Sequence, residues 1–147
     1  MTVNRSVPTD TVLPHVVYRC VPDALCWLNR VFGFVEHYRY GEPGGLVSGA
    51  QVFAGSACIM ISRAKGFETP AQVGFRTQML TVFVEDVDTH YTHTREEGAR
   101  IIEPLHETIY GERQYGVEDI DGHHWLFSQH SHDISPEQWG AVVRRAS

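Results

Sequence analysis

The chain has 147 residues, a hydrophobic fraction of 42% and a charged fraction of 20%, values typical of one soluble globular domain. Its formal net charge is −6, which argues against nucleic acid and against a membrane as partners, because both require clustered Lys and Arg. No apolar stretch reaches the length of a membrane span. The three cysteines are odd in number and lack metal-type spacing, so we expect a cytoplasmic protein.

The first half of the chain predicts a strand, a helix and three further strands. Residues 1–11 are polar and unpatterned, and we expect them to form a flexible N-terminal arm. The apolar run from Leu13 to Cys20 predicts a strand, and the helical pattern that follows ends at Gly33. The further strands are predicted over 34–40, 46–54 and 58–62, the last two as a hairpin around Gly55-Ser56.

The second half repeats this order after a linker, residues 63–77, that has no clear period. The pattern predicts a strand over 79–85, a helix over 87–97, strands over 99–103, 112–118 and 123–129, and a loop over 104–111. Asp121-Gly122 is a strong hairpin-turn signal. Residues 133–147 are predicted to be a helical tail, which opens with the capped turn SPEQW (135–139).

The two halves are related by a long internal repeat. Asp23 and Asp88 lie 65 residues apart, as do Gly33 and Gly98. We therefore predict two copies of a β-α-β-β-β module, over about 12–62 and about 78–130, within one domain spanning 12–132. Paired modules place a cleft between them, and that cleft is the expected functional site.

Strand alternation assigns side chains to two faces. Ile59, Ile61, Trp125 and Phe127 are predicted to face the helices. The opposite, inward face is predicted to carry a mixed set of polar and apolar side chains: His15, Gln51, Phe53, Met60, Arg113, Tyr115, His124 and Leu126.

Several segments together resemble a known family. They are WLNRVFGF (27–34), VFVEDVDTHY (82–91), YGERQYGVEDIDGHHWLF (110–127) and SPEQW (135–139). With the duplicated module, they resemble the vicinal-oxygen-chelate superfamily of glyoxalases, bleomycin-resistance proteins and extradiol dioxygenases. The resemblance implies an α+β fold in which two β-α-β-β-β modules form one cupped, barrel-like mixed sheet with helices on the convex side. It also implies a homodimer.

Enzymes of that superfamily hold one divalent metal in the cup, and the resemblance implies four ligand positions here. These fall on His15, at or beside Met60, on Met79 (Leu80 if the register slips by one) and on Leu126. Three of the four are apolar, and thioethers and Leu do not replace oxygen and nitrogen ligands. We therefore expect no metal cofactor. A non-standard site for one divalent metal, formed by His15, Gln51 and His124, is the alternative.

Other side chains have competing interpretations. An inward Arg113 needs an anion, either a ligand or a carboxylate such as Glu103, Glu112 or Glu118. Phe53, Phe83 and Tyr115 form an aromatic wall or are ordinary packing. His90 and His93 are predicted to lie on or near the exposed side of their helix. Asp119 and Asp121 are predicted to shape a turn.

Three functions follow from these patterns, and we favour the first. It is metal-free binding of a small, partly aromatic or polar molecule, as in antibiotic-binding resistance proteins. The second is an enzyme, either a metal-dependent lyase or dioxygenase around His15 and His124, or a metal-free isomerase with His as general base. The third is a structural or regulatory module whose cup is filled by side chains. The predicted ligand-binding residues are His15, Gln51, Phe53, Met60, Met79, Phe83, Arg113, Tyr115, His124 and Leu126.

Overall fold

The computed structural model describes residues 3–8 and 11–144. The first module contains β1 (His15–Tyr18), α1 (Val21–Trp27), β2 (Val35–Gly41), β3 (Val47–Ala54) and β4 (Ala57–Arg63). A π-helical turn, Leu28–Phe32, continues α1 and ends at Gly33, which adopts a left-handed φ of 78°. The linker contains a short helix, α2 (Pro70–Val73). The second module contains β5 (Met79–Phe83), α3 (Val87–Glu96), β6 (Arg100–Glu107), β7 (Glu112–Glu118) and β8 (His124–His130).

Each module forms one four-stranded mixed sheet, with strand orders β1-β4-β3-β2 and β5-β8-β7-β6. The pairs β1–β4 and β5–β8 are parallel, and all other pairs are antiparallel. The predicted α+β fold and the duplicated strand order are therefore confirmed. The two sheets are cupped but do not close into a barrel.

The strand β6 is longer than the sequence pattern predicted. It continues to Glu107 through the predicted loop 104–111, although it contains Pro104. β6 is the edge strand of its sheet, and its pairing with β7 shifts register on either side of Glu103. An edge position with bulges tolerates proline, because the missing N–H does not remove a ladder hydrogen bond.

A single hydrophobic core runs through both modules on the helix-covered face of the sheets. Phe32, at the end of the π-helical turn, lies at its centre. Its ring centroid lies 4.9 Å from that of Trp27, 4.8 Å from that of Phe127 and 5.8 Å from that of Trp125. Because Trp125 and Phe127 belong to β8, the helix of the first module packs directly on the sheet of the second.

The chain ends are described in part. Of the predicted N-terminal arm, residues 1, 2, 9 and 10 lie outside the described residues, and so do residues 145–147 of the predicted tail. Ser135 and Gln138 form the predicted capping box at the single 3-10 turn Pro136–Trp139. No helix within residues 3–8 and 11–144 has the length and apolar character needed to cross a membrane.

The turn between β7 and β8 joins the modules a second time. Asp119 Oδ1 accepts hydrogen bonds from the backbone N–H groups of Asp121 and His123, both at 3.0 Å, which confirms that Asp119 shapes this turn. Its Oδ2 accepts from the Tyr18 hydroxyl at 2.6 Å and from the Trp125 indole at 2.9 Å. Burial raises the pKa of the Asp119 carboxyl and of the Tyr18 phenol. Asp119 therefore fastens β1 to the second module.

The prediction that His90 lies near the exposed side of α3 is wrong. Its Nε2 donates to the Phe32 carbonyl at 2.9 Å, and its Nδ1 accepts from the Tyr115 hydroxyl. The Phe32 carbonyl can only accept, which assigns the ring proton to Nε2. Burial lowers the pKa of His90, against the opposing effect of its hydrogen bond to Phe32. Helix α3 is therefore oriented so that the His90 imidazole packs against the core.

We expect His90 to make the protein less stable in mild acid. Its pKa is lower in the folded than in the unfolded chain, so between the two values the unfolded chain binds more protons. The stability contributed by neutral His90 is therefore fully present above the pKa of the unfolded chain, and it is lost as the pH falls through the pKa of the folded chain. Urea titrations at pH 7.5 and 5.5 should show a smaller loss in His90→Gln than in the wild type. His132→Gln, at an exposed position outside this helix, is the control and should retain the wild-type loss.

Candidate ligand-binding site

Strand pairing places two rows of side chains on the cup face, the face of each sheet opposite the helices. The first row is His15, Met60 and Gln51, because Met60 pairs with His15 on one side and Gln51 on the other. The second row is Met79, His124 and Glu118, paired in the same way. Leu126 lies on the same face of β8, two residues beyond His124, and pairs with Thr81.

The four positions predicted to correspond to the metal ligands of the superfamily's enzymes, His15, Met60, Met79 and Leu126, all lie on the cup face. One imidazole, two thioethers and an aliphatic side chain do not suit a hard divalent ion, which prefers oxygen ligands. Within residues 3–8 and 11–144, no group of three or more His, Cys, Asp or Glu side chains is placed to hold a metal ion. The residues present do not fit the divalent centre of those enzymes.

The non-standard set His15, Gln51 and His124 is divided among different partners. The Gln51 amide is fully buried and is hydrogen-bonded to His37 and Tyr38. His124 Nε2 lies 3.3 Å from Glu118 Oε1. The His15 side chain makes no hydrogen bond or ion pair to any described residue. No side-chain hydrogen bond in the described part of the chain joins any two members of the set.

Arg113 and Tyr115 do not lie on the cup face, and this part of the predicted site is wrong. Tyr115 is fully buried in the core under α3, where its hydroxyl lies 2.9 Å from Thr94 Oγ1. Arg113 donates to both carboxylate oxygens of Asp88 on α3, at 2.9 and 3.0 Å. This guanidinium lowers the pKa of Asp88. Its ion-pair partners are thus Asp88 and, at 3.7 Å, Glu107, and not Glu103, Glu112 or Glu118.

The other eight predicted site residues share the cup face by strand pairing. They are His15, Gln51, Phe53, Met60, Met79, Phe83, His124 and Leu126. They do not form the predicted aromatic wall, because Tyr115 is absent from this face. Phe53 packs on the His37 ring at 4.7 Å, whereas Phe83 is 61% exposed.

A carboxylate surrounded by basic groups lies at the end of the second row. Glu118 contacts Arg76 at 3.1 Å, Arg100 at 3.4 Å and His124 at 3.3 Å. Arg76 also donates to the Gly122 carbonyl at 2.8 Å, so its guanidinium is held in one place. This cluster fixes the linker residue Arg76 beside the β7–β8 turn.

A cleft of about 470 Å³ lies between β1, the linker and the start of β8. His15 and Val17 line it from β1, on the side away from the helices, and His123 lines it from the β7–β8 turn. The linker contributes two exposed aromatic rings, Phe67 and Phe75, and the fixed guanidinium of Arg76. Its volume is within the usual range for small-molecule sites, which combine apolar walls with a few polar groups.

The sequence interpretation missed two parts of this surface. Phe67, Phe75 and Arg76 lie in a linker without periodicity, and the only signal was two aromatic residues in an otherwise polar segment. His37 and Tyr38 both reach Gln51, because the β2–β3 pairing shifts register between Glu36 and Tyr38. Alternation in a regular strand would place neighbouring residues on opposite faces.

The fold agrees with the comparisons with known proteins. The chain belongs to the Glyoxalase/Bleomycin resistance protein/Dioxygenase superfamily, whose family model matches residues 13–127. The crystal structure of TioX from Micromonospora sp. ML1 is similar, with 31% identity, a TM-score of 0.70, and coverage of 83% of this chain and 99% of that chain.

Two further proteins are similar to this chain at lower identity. A superfamily member from Sphaerobacter thermophilus is 16% identical, with a TM-score of 0.65 and coverage of 82% of this chain and 97% of that chain. The uncharacterized protein Mb0911c of Mycobacterium bovis is 24% identical over 137 residues, which are 88% of this chain and 90% of that protein.

Proposed function

We propose that this protein binds a small, partly aromatic molecule in the cleft beside His15, in the manner of a resistance protein that sequesters its ligand, and that it does so without the superfamily's divalent metal. The observation that carries the proposal is the pair of exposed rings in a concave site. Phe67 is 69% exposed and Phe75 is 62% exposed. Fully burying one such side chain contributes about 1.5–3 kcal/mol, so a planar ligand between them would gain affinity.

The polar groups of the cleft support a ligand-orienting role. His15 has no partner among the described residues, and so both ring nitrogens are available to a ligand. Arg76 is already held by Gly122 and Glu118. A pre-positioned guanidinium loses little side-chain entropy when it binds an acceptor on the ligand. This arrangement favours binding over the filled-cup alternative.

The metal-free part of the proposal rests on the predicted ligand positions. Met60, Met79 and Leu126 occupy three of the four positions where oxygen or nitrogen ligands would be needed. Sequestration needs affinity and no chemistry at a metal. Elemental analysis after incubation with Ni, Zn, Mn and Fe(II) should give well below one metal ion per chain, and about one tightly held ion would contradict the proposal.

The cleft can be tested with 8-anilinonaphthalene-1-sulfonate, an aromatic anion whose fluorescence rises in apolar sites. We expect saturable binding, weakened about tenfold by Phe75→Ala, since a fully buried Phe side chain is worth about 1.5–3 kcal/mol and a planar probe covers only part of it. His15→Ala should weaken binding by a smaller factor. Ile109→Ala removes an equally exposed apolar side chain outside the cleft and is the matched control. Equal effects of Phe75→Ala and Ile109→Ala would exclude this cleft.

We also propose a homodimer. Met79 and Phe83 on the cup face of the second sheet are 53% and 61% exposed. Exposed apolar groups that share one face commonly mark a contact with another protein. Sedimentation equilibrium should give twice the monomer mass of 16.6 kDa.

A further inference from the structure

A buried amide on β3 holds the N-terminal segment, residues 3–8, against the cup face of the first sheet. Gln51 Nε2 donates to the Ser6 carbonyl at 2.8 Å, and the Tyr38 hydroxyl donates to the same oxygen at 3.2 Å. Asn4 Oδ1 accepts from the N–H groups of Ser6 and Val7, at 3.1 and 3.0 Å. Two donors from the sheet therefore converge on a single carbonyl oxygen.

The orientation of the Gln51 amide follows from its partners. A carbonyl only accepts, so Nε2 faces Ser6 and Oε1 faces His37. His37 Nδ1 then donates to Oε1 at 2.6 Å, and its ring packs on Phe53. All of these side chains belong to β2 and β3. The donor pair is thus set by the sheet and not by the segment that occupies it.

Removal of the segment would leave this donor pair incompletely satisfied. With the segment in place Gln51 is fully buried, and the other acceptors near its Nε2 among the described residues are the Tyr38 hydroxyl at 3.2 Å and the Met60 sulfur at 3.4 Å. A thioether is a weak acceptor, so the sheet alone does not satisfy this amide. The position of the Ser6 oxygen therefore suits an oxygen acceptor from the segment or from a ligand.

We propose that Gln51 and Tyr38 form a carbonyl-binding site, which Ser6 occupies as a built-in competitor and which a ligand carbonyl takes over by displacing residues 3–8. The segment is suited to this exchange. Among the described residues, its hydrogen bonds to the sheet are only the two at the Ser6 carbonyl. Arg5 and Ser6 are themselves exposed. This inference goes beyond the proposed function and does not depend on binding in the cleft beside His15.

The exchange can be tested by NMR on the full, ¹⁵N-labelled chain with the unlabelled peptide acetyl-Asn-Arg-Ser-Val-amide as the probe. We expect the amides of Ser6 and Val7 to be rigid without the peptide and mobile with it, by the ¹H–¹⁵N heteronuclear NOE. The Gln51 side-chain amide should shift saturably over the same concentration range. Mobile Ser6 and Val7 in the free protein would overturn the proposal, and so would a Gln51 shift without release of the segment.

Two full-length variants should change peptide binding in opposite directions. Asn4→Gly removes the acceptor that closes the turn around Ser6, so the segment is released and the peptide binds about tenfold more tightly. Gln51→Glu is nearly isosteric but cannot donate, so the segment is released and the peptide does not bind. Unchanged peptide affinity in Asn4→Gly, or a rigid segment in Gln51→Glu, would overturn the proposal.

A third variant covers the case in which Gln51→Glu does not fold. Tyr38→Phe removes one donor from a partly exposed side chain and should weaken docking of the peptide about fivefold. Phe75→Ala alters only the cleft beside His15 and should leave peptide binding unchanged. A failure of the cleft and a failure of the carbonyl-binding site therefore give different results.

Discussion

Replacing Asp119 by Asn should lower the free energy of unfolding by about 3 kcal/mol, because one of the two oxygens of a buried, charged acceptor becomes a donor. The amide is nearly isosteric, and its oxygen can still accept from the N–H groups of Asp121 and His123. Its NH₂ group then faces the Tyr18 hydroxyl and the Trp125 indole. The hydroxyl can rotate to accept, but the indole N–H cannot, so a buried donor is left without an acceptor.

Urea denaturation of Asp119→Asn and Tyr18→Phe measures this effect. Tyr18→Phe removes only one of the four hydrogen bonds and should cost about 1 kcal/mol. If the two variants lose the same stability, the Trp125 indole does not depend on Asp119. The hydrogen bonds of Asp119 would then not hold β1 to the second module.

Phe32→Ala should lower the free energy of unfolding by about 3–5 kcal/mol, the usual cost of removing a buried aromatic ring. Phe32 is 4% exposed and contacts aromatic rings from both modules. No single neighbour can move to fill the space, since the rings belong to a helix and to a sheet of different modules.

The matched control is Phe67→Ala, which removes the same side chain from an exposed position. Its effect on stability should be within about 0.5 kcal/mol of zero. Thermal and urea unfolding of both variants provide the comparison. A cost below about 1.5 kcal/mol for Phe32→Ala would mean that the core closes over the missing ring.

The element order was predictable because it depends on local patterns. The hairpin at Gly55-Ser56, the turn at Asp121-Gly122 and the helix end at Gly33 are each determined by a few neighbouring residues. The length of β6 was not predictable, since Pro104 is a strand breaker except at an irregular edge strand.

Which face a side chain occupies was harder to predict. Alternation shows that Arg113 and Tyr115 share a face of β7, but not which face covers the core. The charge of Arg113 suggested the cup, whereas the structure pairs it with Asp88 on α3. Tyr115, on the same face of β7, is buried in the core. An ion pair between a strand and a helix 25 residues apart leaves no trace in the local pattern.

The candidate site depends on contacts between distant segments. The Ser6 carbonyl meets Gln51 across 45 residues, and the β-bulge at His37 brings two neighbouring side chains to the same amide. The Asp119 contact with Tyr18 spans 101 residues. Periodicity carries no information about such contacts. The sequence therefore predicted which residues lie on the cup face, but not the hydrogen bonds that Gln51 makes there.

The shared core has a consequence for the order of folding during synthesis. When residues up to Arg63 have left the ribosome, all four strands of the first sheet can pair, including the parallel pair β1–β4. The rings of Trp125 and Phe127, against which Phe32 packs, have not yet been made. The apolar helix face of the first module therefore stays uncovered until residues up to Phe127 have emerged. During that interval it exposes apolar surface of the kind that favours aggregation, and the second module then covers it.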